Sequence, residues 1–455
     1  MSPELDRKLV PRAAPHRRFI PWPTAETTRG LRPGEPEACR RDPREFLAIL
    51  AHLGLLLAVF KVYRLEGRAF QLLATIAAAA LPIHYVAHYR WKKPIFVAAS
   101  IVALAWVFGA ATAAVVLVVA AAFLGLCYLP VSWWARAACV ASLGLACALA
   151  RSGAAAVPVP EGVWPVLASM FMFRMMLYLY EIKHSTERQP LIDTIGYFFL
   201  LPNYCFLLFP VVDYRAFRRG YFAADVHALQ REGLRLLTRG TGHLLLYRLV
   251  YHLLLVPADE VRGPASLARY VACNYLLYLR VSGQFHIAGG LLHLFGFALP
   301  ETHRRYLLAS SFTDYWRRIN IYWKDFMVRL VFNPVAMRLM RRGQGLALGA
   351  ATAAVFATTW LLHAYQSFWV RGTWNFSLHD GLFWGVLGLL VLVNVQLDAR
   401  RPPRRDDGGW SAARVLKTLG TFATIALLWS LWSSPSVGAW LDLLRRGLAP
   451  GRSGP

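Results

Sequence analysis

The chain has 455 residues, of which 57% are apolar and only 16% charged, and its mean hydropathy is +0.40. Soluble globular domains carry about 25% charged residues, so the composition argues against a soluble protein. The net charge of +25 could suit nucleic-acid binding. The basic residues, however, stand in short segments between apolar runs, which favours membrane topology and contact with anionic lipid head groups over nucleic acid.

The first 44 residues are polar, charged and rich in proline, and they lack the apolar core of a signal peptide. We expect residues 1–44 to form a disordered cytoplasmic tail. Apolar runs follow, among them Ala110–Leu129, which is long enough to cross about 30 Å of hydrocarbon without a charge. Inside a bilayer the backbone must satisfy its own hydrogen bonds, so such runs form helices. The period-two alternation of a membrane β-barrel is absent from the sequence.

The sequence predicts an all-α, polytopic bundle of about 10–12 transmembrane helices. We assign residues 45–160 to N-terminal transmembrane helices, 161–400 to a core, and 401–455 to a C-terminal transmembrane helix and tail. The candidate spans are Phe46–Val62, Ala69–His88, Pro94–Phe108, Ala110–Leu129, Ala135–Leu149, Val163–Tyr180, Ile192–Val212, Gly242–Val256, Ser266–Leu294, Gly345–Tyr365, Leu382–Leu397 and Val415–Trp432.

Three segments depart from simple spans. Ile192–Val212 contains prolines, which interrupt helical hydrogen bonding, so we expect it to be broken or re-entrant. Asp213–Arg239 mixes arginine with aromatic and aliphatic residues, which is typical of an amphipathic helix lying in the membrane surface. His303–Arg342 combines tryptophan and tyrosine with many cations and is also expected at the interface.

Cysteine and histidine spacing gives little support for a metal site. The chain has six cysteines and no CxxC pair, and all except Cys39 lie in apolar stretches, where we expect buried thiols. His84 and His88 have the i, i+4 spacing of metal ligands, but no third ligand is evident. We therefore predict no metal.

Polar residues at membrane depth are functional candidates because they are costly to bury there. His363 interrupts the apolar run AVFATTWLLHAYQSF. A neutral imidazole can take a proton from a hydroxyl or amine, or it can simply bond to a neighbouring helix. Asn320 follows an aromatic and cationic patch, where its carboxamide could bind a ligand or cap a helix. His379 is a weaker candidate, and we interpret it as structural.

The block FTDYWRRINIYWKDF, Phe312–Phe326, is followed 43 residues after Asn320 by His363 in an apolar helix. This arrangement resembles the membrane-bound O-acyltransferase (MBOAT) family. Two further segments are similar to family segments: MFRMMLYLYEIKH at Met172–His184, and FFLLPNYCFLLFPVVDYRAF at Phe198–Phe217. The resemblance covers about half of the chain and implies an MBOAT-like catalytic core within residues 161–400.

The resemblance implies that His363 is the catalytic general base and that Asn320 is the second characteristic polar residue, orienting the acceptor or stabilising charge on the thioester oxygen. Two departures leave the substrate open. The pair Ile319-Asn320 stands where many bacterial members have Trp-His, and WLLHA ending at Ala364 stands where they have Gly-Leu-Trp-His-Gly. The residues assigned to substrate binding are Asp314, Trp316, Arg317, Trp323 and Lys324, and the cations assigned to the donor's phosphates are Arg317, Arg318, Lys324 and Arg329.

We therefore expect an O-acyltransferase of a bacterial inner membrane, with membrane lipids around it. It would move an acyl group from acyl-CoA or a similar thioester, with no further cofactor, to a hydroxyl of a lipid or glycan acceptor. The alternatives are a transporter or flippase of a lipid-linked or anionic substrate, whose path the same polar residues would line, and a catalytically inactive MBOAT-like scaffold.

Overall fold

The computed structural model describes residues 34–155, 157–185, 187, 189–204, 212–400 and 411–449. These residues form an all-α structure without a β-strand, and one isolated antiparallel bridge joins Tyr221 and Phe297. Within the described ranges, nine helical segments are long and apolar enough to cross a bilayer, and one of them, Val163–Lys183, contains a short turn. The protein is a multi-pass helical membrane protein. The predicted all-α class is confirmed, whereas the predicted count of about 10–12 spans exceeds the nine candidates in the described ranges.

Five helices build the N-terminal part of the bundle, and each corresponds to one predicted span. They are α1 (Pro43–Val62), α2 (Arg68–Val86), α3 (Tyr89–Phe108), α4 (Ala110–Cys127) and α5 (Trp133–Arg151). The carboxylate of Asp42 caps α1 by accepting from the backbone N–H of Arg44 at 2.9 Å. Gly109, at φ +83°, makes the sharp connection between α3 and α4.

The predicted span Val163–Tyr180 is interrupted. It forms α6 (Val163–Phe171) and α7 (Arg174–Lys183), which are separated by a short irregular turn. The predicted break in Ile192–Val212 is confirmed for its first half, because α8 (Leu191–Phe198) ends in a 3₁₀ turn over Leu201–Tyr204. Pro210 and its neighbours 205–211 lie outside the described residues.

The prediction of one surface helix over Asp213–Arg239 is wrong. The segment divides into α9 (Tyr214–Gly220) and the beginning of α10 (Val226–Leu249). Leu234 and Leu237 of α10 are buried, so this helix packs into the bundle instead of lying on its surface. The predicted single span Ser266–Leu294 likewise divides into α11 (Pro264–Leu276) and α12 (Leu279–Leu294).

Glycines explain why α10 is buried despite its arginines. A Cβ on Gly240 would lie 2.7 Å from the carbonyl oxygen of Gly283, and a Cβ on Gly290 would lie 2.7 Å from that of Gly233. These two pairs let the backbones of α10 and α12 approach closely, which is the mode of packing that small residues permit in membranes. The polar face of α10 can then point away from α12.

The stretch before the last spans, which was predicted to lie at the interface, consists of short pieces. It contains α13 (Phe312–Arg318), α14 (Ile321–Met327), a π-helical turn over Val328–Phe332, and α15 (Asn333–Leu339). The remaining helices are α16 (Gln344–Arg371), α17 (Leu378–Ala399), α18 (Ala412–Trp432) and α19 (Val437–Leu448). The amphipathic α19 is an element that the sequence did not predict within the C-terminal tail.

Ion pairs tie the short helices to the long ones. The carboxylate of Glu181, on α7, accepts from Arg215 of α9 at 2.7 Å and from Arg329 of the π-helical turn at 2.6 Å. Arg329 also pairs with Asp213. Glu181 is buried, so its two guanidinium partners compensate for the loss of hydration.

The predicted burial of the thiols is confirmed for Cys127 and Cys273, whereas Cys147 is only partly buried and the prediction is wrong for Cys139. Cys39, the one cysteine outside the apolar runs, is buried, whereas Cys139 on α5 is exposed. The cysteines in the described part of the chain are free thiols; Cys205 lies outside it. The exposed position of Cys139 follows from α5, of which only Val140 is buried.

We expect Gly240→Ala to destabilise the protein by about 1–3 kcal/mol, because the new methyl group would collide with the backbone of α12. Gly242→Ala is the matched control on the same helix, since a Cβ there meets nothing within 4 Å. Thermal unfolding in detergent should show a lower Tm for the first variant only. Equal melting temperatures would contradict the close-packing argument.

Candidate active site

His363 lies in the second half of α16 and is partly buried. Three indole rings surround its imidazole, with ring-centroid distances of 5.7 Å to Trp323, 4.7 Å to Trp384 and 6.1 Å to Trp432. These tryptophans come from α14, α17 and α18. The histidine therefore stands where four helices meet, and not on a surface that faces only lipid.

The imidazole of His363 makes no hydrogen bond with any residue that the structure describes. Most polar groups inside proteins are hydrogen-bonded, and the interpretation of His363 as a histidine bonded to a neighbouring helix finds no partner in these ranges. Both ring nitrogens can therefore exchange a proton or a hydrogen bond with a bound molecule.

Asp380 supplies negative charge next to this imidazole. Its side chain is 5% exposed, and its two oxygens accept from the indole N–H of Trp432 and from the hydroxyl of Ser377. Trp432, which donates to Asp380, lies 6.1 Å from the imidazole of His363 between ring centroids, so the carboxylate is close enough to act electrostatically on the imidazole. A carboxylate in this position stabilises a positive imidazolium, which is the charge state that a general base acquires when it takes a proton.

Asp380 was missed by reasoning from the sequence alone. It stands in SLHDG, and a Ser-x-x-Asp pattern before an apolar run indicates a helix cap. The cap does form, because the backbone N–H of Asp380 donates to the hydroxyl of Ser377 at 3.2 Å. The pattern contained a second signal, however, since the carboxylate follows directly on His379 at the start of a predicted span.

Asn320 occupies a left-handed turn between α13 and α14, at φ +38°. Its carboxamide oxygen caps α14 by accepting from the backbone N–H of Trp323 at 3.3 Å. Two backbone hydrogen bonds fix the chain on either side of this turn. The backbone N–H of Arg304 donates to the carbonyl of Arg318 at 2.9 Å, and the backbone N–H of Ile321 donates to the carbonyl of Thr302 at 2.8 Å. The helix-cap interpretation of Asn320 is thus confirmed.

The capping bond leaves the amide nitrogen of Asn320 without a partner among the described residues. Asn320 and His363 are linked through Trp323, whose backbone Asn320 caps and whose ring contacts the imidazole. The indole N–H of Trp323 donates to the hydroxyl of Thr359, one helical turn before His363, at 3.4 Å. The two predicted catalytic residues therefore share one neighbour instead of touching each other.

Most of the other predicted substrate-binding residues already have a partner in the structure. The carboxylate of Asp314 accepts from Arg318 at 2.7 Å, and Lys324 pairs with Asp325 at 2.5 Å. The ring of Trp316 packs on Phe356 at 4.7 Å, facing α16.

Of the cations assigned to the donor's phosphates, Arg329 already pairs with Glu181 and Asp213, as described above. Arg317 is exposed and has no acidic partner in the described ranges, so it is the most available of these cations.

The remaining histidine candidates have structural contacts. A ring nitrogen of His379 lies 3.1 Å from the hydroxyl of Ser377. His84 is buried against the rings of Phe222 and Phe295, and His88 accepts from the backbone N–H of Arg90 at 3.3 Å. Among the described residues, no group of three or more histidine, cysteine or acidic side chains could hold a metal.

Neither a protein-family model nor a curated protein matches this chain.

We expect Asn320→Ala to lower the free energy of unfolding by about 0.5–2 kcal/mol, because alanine lacks the capping oxygen and is disfavoured at positive φ. Asn320→Asp is the matched control, since its carboxylate can still accept from the backbone N–H of Trp323. Thermal melts of both variants in one detergent test this. A melting temperature for the alanine variant equal to that of the wild type would rule out the capping role.

Proposed function

We propose that the protein is a membrane-bound O-acyltransferase of a bacterial inner membrane. It would transfer an acyl group from acyl-CoA or a similar thioester to a hydroxyl of a lipid or glycan acceptor. The observation that supports this most directly is the unbonded imidazole of His363, which is held among three indoles beside the buried carboxylate of Asp380. Such an arrangement suits a proton-transfer base.

In the proposed reaction, a nitrogen of His363 takes the proton of the acceptor hydroxyl while the oxygen attacks the thioester carbonyl carbon. A carbon–oxygen bond forms and the carbon–sulfur bond breaks. The imidazolium then returns the proton to the departing thiolate, so the products are the ester and the free thiol. The Asp380 carboxylate lowers the energy of the intermediate imidazolium.

Asn320 is proposed as the electrophilic partner. Its free amide N–H can donate to the thioester oxygen, where negative charge develops during attack. The left-handed turn and its flanking backbone bonds hold the residue in place, so little reorganisation would accompany the reaction. The guanidinium of Arg317 is suited to a phosphate of the donor.

We expect His363→Ala to abolish acyl transfer and to lower the melting temperature only modestly, because the imidazole loses ring packing but no hydrogen bond. The assay would use protein in lipid nanodiscs, radiolabelled acetyl- or palmitoyl-CoA, and lipid or glycan acceptors. His252→Ala is the control, since His252 is exposed and distant in sequence from the site.

Asn320→Asp provides a second arm of the same assay. It retains the capping oxygen but removes the N–H donor, so transfer should fall on the order of 100- to 1,000-fold without a loss of stability. Full activity of the His363→Ala protein would overturn the assigned base. If the wild type moved an anionic lipid between leaflets and transferred no acyl group, the transporter alternative would replace this proposal.

We expect Asp380→Asn to lower kcat at least about tenfold with little change in KM, because the carboxylate acts on a charge that forms only during the reaction. A residue with a purely structural role would lower the amount of folded protein and leave kcat per folded molecule unchanged. Active-site titration together with initial rates separates these outcomes. An unchanged kcat would remove Asp380 from the mechanism.

A further inference from the structure

A second feature of the bundle is an apolar cavity of about 440 Å³ between α5 and the core. Seven residues of α5 line it, between Ala137 and Ala148, and α6 and α7 line the opposite wall. Tyr365 and Trp369 of α16 close one side. Its volume lies within the range of cavities that hold small organic ligands, and its lining favours a hydrocarbon.

The length of the cavity matches one acyl chain of a bilayer leaflet. Ala137 and Ala148 are eleven residues apart on one helix, which corresponds to about 16 Å at 1.5 Å per residue. One leaflet contributes about half of a 30 Å hydrocarbon core. A phospholipid tail that entered from the membrane surface would therefore extend along the whole wall that α5 provides.

The packing of α5 shows why side chains do not fill this space. The helix is a candidate membrane span, yet Val140 is its only buried residue. Alanine and glycine form much of its cavity wall, and a Cβ on Gly144 would meet nothing within 4 Å. Small residues on this wall leave α5 with few contacts to α6 and α7, and a lipid tail would supply the missing dispersion contacts.

A positive charge lies at one end of the cavity, next to two tryptophan rings. The ammonium of Lys183 lies 4.4 Å from the ring centroid of Trp133 and 5.0 Å from that of Trp134. The indole N–H of Trp133 donates to the carbonyl of Leu179, which lines the cavity one turn before Lys183. Lys183 is exposed and has no acidic partner within the described ranges.

Tryptophan and lysine of this kind mark the head-group level of a bilayer, and a lysine there attracts anionic lipid. The cavity is distinct from the candidate active site. Tyr365 is two residues beyond His363, which on an α-helix places the two side chains on nearly opposite faces of α16. A molecule in the cavity would therefore contact the helix that bears His363 without reaching the imidazole.

We propose that one acyl chain of an anionic phospholipid occupies this cavity, with its phosphate at Lys183. The lipid fastens α5 to α6 and α7 and supports the wall formed by Tyr365 and Trp369. This inference does not depend on acyl transfer, since it follows from the cavity, its length and the charge at its end.

The test uses phosphatidylglycerol with a diazirine near the end of one acyl chain, mixed into phosphatidylcholine nanodiscs that contain the full chain. After irradiation, peptide mass spectrometry should place label between Ala137 and Ala148 and on the facing Met172–Leu179 segment. Gly144→Trp fills the cavity and should reduce this labelling at least about tenfold. Ala138→Trp is the matched control, because Ala138 is exposed on the same helix. Ala141→Phe is the second filling variant in case the first does not fold.

Lys183→Gln should lower the preference for phosphatidylglycerol over phosphatidylcholine about fivefold, as expected for the loss of one interfacial lysine. Equal labelling of the wild type and of a folded filling variant would overturn the proposal. So would stronger labelling of the cavity by a diazirine acyl-CoA, which would make it the donor's site. The His363→Ala protein should be labelled normally, so a failure of the acyl-transfer proposal would be distinguishable from a failure of this one.

Discussion

Hydrocarbon cannot hydrogen-bond to a peptide group, and this constraint shapes most of the molecule. It forces the apolar segments into helices, and it makes every polar side chain at membrane depth depend on partners inside the bundle. Asp380 meets this requirement through Trp432 and Ser377. Glu181 meets it through two arginines. His363 has no such hydrogen-bond partner among the described residues, and three indole rings border its imidazole. Other buried groups in these ranges, including the side-chain amide of Gln230 and the hydroxyl of Tyr204, also have no hydrogen-bond partner.

The same constraint explains how the broken segments are held. Short helices expose backbone groups at their ends, and the turn at Asn320 satisfies several of them at once. Its side chain caps α14, and the backbone of Thr302 and Arg304 bonds to the backbone on both sides of the turn. Ion pairs at Glu181 then join this interfacial region to α7 and α9. A rigid loop at the candidate site is therefore obtained without a β-sheet.

The sequence predicted the membrane spans correctly where hydrophobicity alone determines the structure. The apolar runs of α4 and α16–α18 were assigned as spans because hydrophobicity alone decides insertion. The prediction failed for α10, whose arginines suggested a surface helix, because burial there depends on two glycine pairs contributed jointly with α12. It also did not anticipate α19, a short amphipathic helix that packs on Val261 and Leu267 from a distant part of the chain. Contacts between distant segments carry no local signature.

The sequence by itself determined the membrane character, the helical class, and the presence of a histidine and an asparagine at costly positions, since these follow from composition and from local hydrophobic patterning. Tertiary structure alone decided that three tryptophans from α14, α17 and α18 surround His363 and that Asp380 bonds to one of them, Trp432. It also decided that Trp323 contacts both His363 and Asn320. The physical reason is that two helices pack together only where the shapes of their facing surfaces are complementary. Asp380 and Trp432 are 52 residues apart along the chain, and nothing local to either residue specifies their hydrogen bond.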